Sequence, residues 1–534
     1  MKRILTIVMC ALIIMSVAAC KKTEKAYSEP ETATNQKNFS SEPEVGTEQK
    51  EEIIRTIQLI TGSGETEKFA GDTYATIIRE SHPVVYVYYG DENNFSELSE
   101  ALEAYNKSEK DYLLKFMDEN RDYAMESYLE RGENFYEFES TVTPYVRRAD
   151  TVVTSILYYG YEYLGGVHGN YYYYGKNYDT KMGKELLLSD VVNDKEKLVS
   201  AVLEQLDIHW SDAALDESAD IEKLLNDETA ISWTLDYNGI TVYFMPYSIA
   251  SYASGAQMVT VSNGEYPDVL KEEYKKTPVS YGVELANNAP FYYDVTGDGK
   301  VDEVIFSAYE SDYEGTPGEV SFYINGDSSY SEEDWFYGAE ATFVHTKNGK
   351  NYIYVESLRE NDYRETACYD LSYGISRVDS VNGGLRRIYH EGEDNVITQD
   401  VLTNPESFYL CSTTQRLSTA TGYKEYHIGE NGVPESDDRM FVFDEENMLA
   451  FTMLTDLKAS VCDMKSGELT GKEKTLKAGE SVLYVGTDNE KYGYLKASDG
   501  TTVRVEVVFE KDKFGYTIDG VNTEEIFDGL FYAG

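Results

Sequence analysis

The clearest chemistry in the chain lies in one stretch, Asp294-Val295-Thr296-Gly297-Asp298-Gly299-Lys300-Val301-Asp302. Oxygen-bearing side chains stand at loop positions 1, 3, 5 and 9: Asp294, Thr296, Asp298 and Asp302. Gly299 falls at position 6, where such a loop turns sharply, and the Lys300 carbonyl falls at position 7. Calcium takes roughly six to eight oxygen ligands at flexible geometry, so this spacing predicts a calcium loop. Position 12 holds Ile305 and supplies no carboxylate. The same residues also read as an Asp- and Gly-rich hairpin turn, which needs no ion.

His168 is the candidate catalytic side chain, in the Gly-rich turn Gly165-Gly166-Val167-His168-Gly169-Asn170. The chain has only 6 histidines, and no H-E-x-x-H pair, G-x-S-x-G elbow or P-loop accompanies this one. A histidine without such a partner also reads as structural. With 96 acidic residues, chance carboxylate pairs abound, and spacing alone singles out no glycosidase-like pair.

A third group is Cys20. Lys2 and Arg3 precede an apolar run from Ile4 to Met15, and Val17-Ala18-Ala19 leads to the cysteine. Charge, a short apolar run and small residues, in that order, make a secretory signal. The run falls short of the roughly 20 residues of a spanning helix. Cys368, Cys411 and Cys462 are too widely spaced for a metal motif or a disulfide framework, and their redox state stays open.

Around these groups the chain divides into regions. Residues 1–19 read as signal peptide and 20–65 as lipid anchor and disordered tether. Residues 66–180 carry strand-like runs and a helix from Ser96 to Leu129, with a break expected near Asn106-Lys107-Ser108. Strands follow over Phe135–Val146, Val152–Tyr163 and Asn170–Tyr178. Residues 181–275 add a helix from Lys195 to Leu206, then strands Ile231–Asp236 and Gly239–Phe244. Residues 276–463 read as short strands with turns, and 464–534 as a small β domain with an Asp499-Gly500 hairpin turn. The fold class expected is an α+β N-terminal module followed by mainly β domains. The 48 tyrosines suit half-buried strands and also sugar or protein binding. A net charge of −49 argues against nucleic acid and anionic lipid as main partners and favours cations, basic proteins or simply solubility.

Several segments resemble known families. The Val17-Ala18-Ala19-Cys20 text resembles the lipobox of bacterial lipoproteins, which implies a lipid on Cys20 and a place on the cell membrane facing outside the cytoplasm. The loop at 294–302, flanked by strands, resembles the calcium loop of FG-GAP-type β repeats. The spaced pieces Gly165–Asn170, Asn177-Tyr178-Asp179, Gly183–Leu186, Leu188-Ser189-Asp190, Tyr243-Phe244, Pro246–Ala250, Tyr252-Ala253 and Gly255 resemble domain-of-unknown-function family 3298, with family 4163 before it over 66–180. That pair occurs in a lysozyme-binding anti-sigma factor and beside peptidoglycan deacetylase domains. Leu476-Lys477-Ala478-Gly479 and Tyr492-Gly493-Tyr494-Leu495 are similar to a bacterial SH3-like domain. Together these resemblances imply an envelope lipoprotein that binds a wall-related ligand, either a lysozyme-like basic protein or peptidoglycan, without catalysis. The alternatives are a hydrolase or deacetylase acting on wall polymer, with His168 near its site, and a structural envelope lipoprotein.

Overall fold

The structure is a computed structural model that describes residues 53–534 apart from 72, 89, 212–214, 217–218, 228–229, 313–314, 391–394, 465, 512–514 and the last two residues. The expected signal peptide, Cys20 and most of the expected tether lie outside the described residues, and from Leu59 the expected tether is instead strand. Residues 54–534 form one compact unit.

An antiparallel pair opens the fold, β1 (Leu59–Phe69) and β2 (Thr76–Val87). The sequence text suggested two strands where β2 runs as one, straight through Pro83. Helix α1 (Ser96–Arg131) crosses over to β3 (Phe138–Ala149), which pairs parallel with β2 over Ile78–Ser81 only. The break expected at Asn106 does not occur. Beyond the β2–β3 pairing the amide of Asn106 accepts from the Val85 N–H (3.0 Å) and donates to its carbonyl (2.9 Å). A buried residue that reads as a helix breaker therefore satisfies an open strand edge from within the helix. β4 (Val153–Tyr163) and β5 (Asn170–Asp179) complete this side of the sheet. With two later strands, β19 (Arg387–His390) and β20 (Val396–Asp400), its order is β19-β20-β1-β2-β3-β4-β5.

The next layer holds a helical turn, α2 (Leu188–Val191), and helix α3 (Lys195–Trp210) on the meander β6 (Ser232–Asp236), β7 (Gly239–Phe244) and β8 (Gln257–Ser262). Leu198, Val202 and Leu206 form the buried stripe of α3 against Ile240, Val242 and Val259. The 3.6-residue spacing of that stripe is what the sequence displayed.

Two sheets then pack as a sandwich. One runs β10 (Pro290–Tyr293), β11 (Asp302–Tyr309), β12 (Gly318–Ile324) and β13 (Asp327–Asp334). The other is ordered β17-β16-β15-β14-β9: β9 (Tyr281–Leu285), β14 (Ala339–His345), β15 (Asn351–Leu358), β16 (Arg364–Asp370) and β17 (Ser376–Asn382). Val283, Phe306, Phe322, Phe343 and Ile353 fill the space between them. A two-residue strand, β18 (Gly384–Leu385), follows, and β19 (Arg387–His390) and β20 (Val396–Asp400) return to the edge of β1. β21 (Phe408–Thr414) and β22 (Ala420–Ile428) lead into a C-terminal sheet around Phe451, Tyr484, Leu495 and Val503. The chain is thus mostly β with helices near its N-terminal end, a multidomain α+β and β protein as expected. Among the described residues no helix is long and apolar enough to cross a membrane.

Candidate functional site

The loop at 294–302 joins β10 to β11, so paired strands hold both of its ends. Its carboxylates bind its own backbone. Asp294 accepts from the N–H of Gly297 (2.6 Å) and Gly299 (2.9 Å), and Asp298 from Lys300 (2.9 Å). Asp302 is buried and accepts from Val295 (3.0 Å) and Thr296 (2.9 Å) through one oxygen and from the Asn325 amide (2.8 Å) through the other. Gly297 and Gly299 adopt φ of +76° and +88°, a conformation that disfavours a side chain. Among the described residues no group of three His, Cys, Asp or Glu side chains is arranged to hold a metal ion. The donor set is nonetheless hard oxygen, and each Asp294 oxygen keeps a lone pair beyond the bond it accepts. The chemistry of the residues fits calcium, while the bonds formed here are those of an Asp-rich turn.

His168 lies elsewhere, at the tip of the β4–β5 hairpin, and is exposed. Its Nδ1 is 2.8 Å from the Gly169 carbonyl, which fixes that nitrogen as the protonated donor. Its ring stacks on Tyr252, with centroids 4.1 Å apart and planes at 21°. The Tyr252 hydroxyl donates to the same Gly169 carbonyl (2.7 Å). Tyr247 and Tyr171 both approach Tyr252, at 5.5 and 6.0 Å, and Tyr159 adjoins Tyr171 at 6.2 Å. The Tyr171 hydroxyl accepts from the Ala256 N–H (3.0 Å) and so fastens the second segment to the hairpin.

An aromatic platform results, built from β4, the β4–β5 turn, the start of β5 and residues 245–256. It unites three of the separated pieces that carry the family resemblance, Gly165–Asn170, Pro246–Ala250 and Tyr252-Ala253. Tyr247 is 67% exposed and has φ of +69°, an outlier for a bulky residue. Such strain persists only where the surrounding structure enforces it, and it collects at functional sites. The sequence singled out His168 but not Tyr171, Tyr247 or Tyr252 as its neighbours; the abundance of tyrosine was the available signal.

The remaining cysteines are free thiols. Burial pushes the Cys411 thiol up to about 12 and raises those of Cys368 and Cys462 as well, so none is a ready nucleophile.

No curated protein matches the chain. Among solved structures it is similar to a DUF3298 family member from Bacteroides fragilis, at 21% identity and a TM-score of 0.32, covering 41% of this chain and 96% of that one. It is also similar to a DUF3298 family protein from Pseudomonas aeruginosa, at 16% identity and a TM-score of 0.28, covering 42% of this chain and 98% of that one. Residues 186–263, which hold α2, α3 and the β6–β8 meander, match the family model described as a protein of unknown function (DUF3298), and the chain carries a domain of that family.

Proposed function

We propose that this chain is an exported lipoprotein, anchored through Cys20 to the cell membrane and facing outside the cytoplasm, that binds a wall-related ligand without catalysis. The observation that carries this reading is the aromatic platform of His168, Tyr171, Tyr247 and Tyr252. Flat ring faces with polar edges suit the apolar faces and hydroxyls of sugar rings, so the glycan of peptidoglycan is the preferred ligand. Both polar groups at the centre, His168 Nδ1 and the Tyr252 hydroxyl, are directed at one backbone carbonyl. That arrangement holds both rings in a fixed orientation, as a binding surface requires.

The net charge of −49 favours a second ligand, a lysozyme-like basic protein drawn in by electrostatic steering. In the same reading calcium pins the β10–β11 loop, held by Asp294, Thr296, Asp298, Asp302 and the Lys300 carbonyl, and has a structural role.

Co-sedimentation of the purified chain with insoluble peptidoglycan at physiological salt tests the proposal. The unaltered protein should pellet saturably and release no soluble wall fragments. Tyr252→Ala should weaken binding roughly tenfold, the loss of one stacking anchor. Lysozyme and an unrelated protein of equal positive charge are titrated alongside. Equal capture of both, fading together as salt rises, would reduce the second reading to bulk charge. Release of wall fragments by the unaltered chain, abolished in His168→Ala, would replace binding by catalysis.

A further inference from the structure

A cavity of about 340 Å³ lies between the outer face of the five-stranded sheet and the strands β1, β3 and β20. The strand register builds it. Thr342 lies opposite Glu284, and Glu340 opposite Glu356, so three glutamates and a threonine share one face of β9, β14 and β15. The opposite face of these strands is committed to the sandwich core.

The three carboxylates have different partners. Glu356 is buried and takes Arg364 (2.6 Å) and the Leu385 N–H (2.7 Å). Glu340 takes Arg387 (2.9 Å) and the Gln399 amide (2.8 Å). Glu284 accepts only the Val146 N–H (2.6 Å) and has no cation within ion-pair distance among the described residues. It retains some solvent contact while protein surrounds its carboxyl. Thr61 and Thr342, 6% and 8% exposed, also present hydroxyls to the cavity with no protein partner among the described residues, and the Nε of Arg387 on its lining is buried without one. Buried polar groups are almost always paired, so unpaired ones lining a cavity point to something that occupies it. The cavity volume is at the lower end of the range for small-molecule sites.

We propose that this cavity binds a small organic cation, a primary ammonium on an apolar body, with its charge paired to Glu284 and its body against apolar residues such as Phe306, Leu402 and Leu410. Glu340 and Glu356 each have an arginine, Glu284 alone of the three has no cationic partner, and the ammonium supplies one. The inference does not rest on the aromatic platform.

Burial, reinforced by Glu340, pushes the Glu284 carboxyl up to about 8. Tyr145 and Arg147 on β3, Glu340 on β14, Glu356 on β15 and Arg387 on β19 are the other titratable or charged groups around it. An ammonium beside Glu284 favours its ionised form. Binding near pH 7 therefore expels a proton from Glu284, and affinity rises as pH goes from 6 towards 8 while the amine itself stays charged.

The test is calorimetric titration of the full chain with pentylammonium, and with pentan-1-ol as the neutral control, at physiological salt. Expected are saturable binding of one ammonium per chain, proton release seen as a dependence of the heat on buffer ionisation enthalpy, and no binding of the alcohol. Glu284→Gln should weaken binding about tenfold, the loss of a charged partner. Its amide oxygen can still accept from Val146, so the fold should survive, and circular dichroism checks this. The exposed Glu100→Gln controls for bulk charge and should have no effect. Absent binding, equal binding of the alcohol, or equal weakening by both variants would overturn the proposal.

Discussion

At the residue scale, Asp302 decides what the β10–β11 loop is. Its side chain is buried and accepts three N–H bonds, so it closes the turn whether or not an ion is present. Asp298 is exposed, and within the loop its carboxylate accepts only from Lys300. The two acids should therefore separate in experiment. Asp298→Ala should cost little stability without metal but abolish any rise in melting temperature on adding 1 mM calcium in place of chelator. Asp302→Ala should destabilise under both conditions by about 2 kcal/mol, because it orphans buried donors. A melting temperature that ignores calcium in the unaltered chain would leave a self-sufficient turn. The sequence made these residues legible because their spacing is local. Glu284, Glu340 and Glu356 were illegible among 96 acids, since only the pairing of three strands brings them to one face.

At the scale of elements, the telling feature is the bulge in β3 between Val146 and Arg148. Neighbouring strand residues normally point to opposite faces, but here Arg147 and Arg148 are both buried. Arg147 grips Asp236 of β6 through two nitrogens, at 3.2 and 3.0 Å. Arg148 pairs with Asp150 (2.7 Å) and donates to the carbonyls of Tyr274 and Lys276. Asp236 also accepts from the Thr234 and Thr241 hydroxyls. The Arg147–Asp236 pair ties the N-terminal sheet to the domain at 186–263, and Arg148 ties it to the segment that follows. Asp236→Ala would strand a buried guanidinium, and the expected loss is about 3–5 kcal/mol by denaturant unfolding. A loss below about 1 kcal/mol would mean that water replaces the carboxylate. In the sequence, Arg147-Arg148 falls just beyond the expected strand Phe135–Val146. The helix α3 was readable because its apolar stripe is periodic, whereas a bulge leaves no periodic trace.

For the molecule as a whole, chain order and spatial order part company. Strands β19 and β20, from residues 387–400, complete the sheet that β1 and β2 begin, with Ile60 opposite Asp400 and Ser63 opposite Ile397. The fit is close, since a Cβ on Gly62 would come within 2.0 Å of the Ile397 carbonyl oxygen. Buried Asp400 pairs with Arg386, whose guanidinium also lies over the Tyr88 ring, 5.4 Å from its centroid. Pairing across more than 300 residues has no local signature, and a sequence read by local pattern divides the chain into consecutive blocks. A fragment covering residues 54–275 contains all of β1 to β8 and the aromatic platform, yet it leaves β1 as an open edge. Exposed, unpaired edge strands invite association with other chains. That fragment should therefore bind wall polymer through the platform but self-associate as its concentration rises, where the full chain does not. Light scattering across a concentration series distinguishes the two. A fragment that stays monomeric and melts like the full chain would show that β19 and β20 cover the sheet without being needed for it.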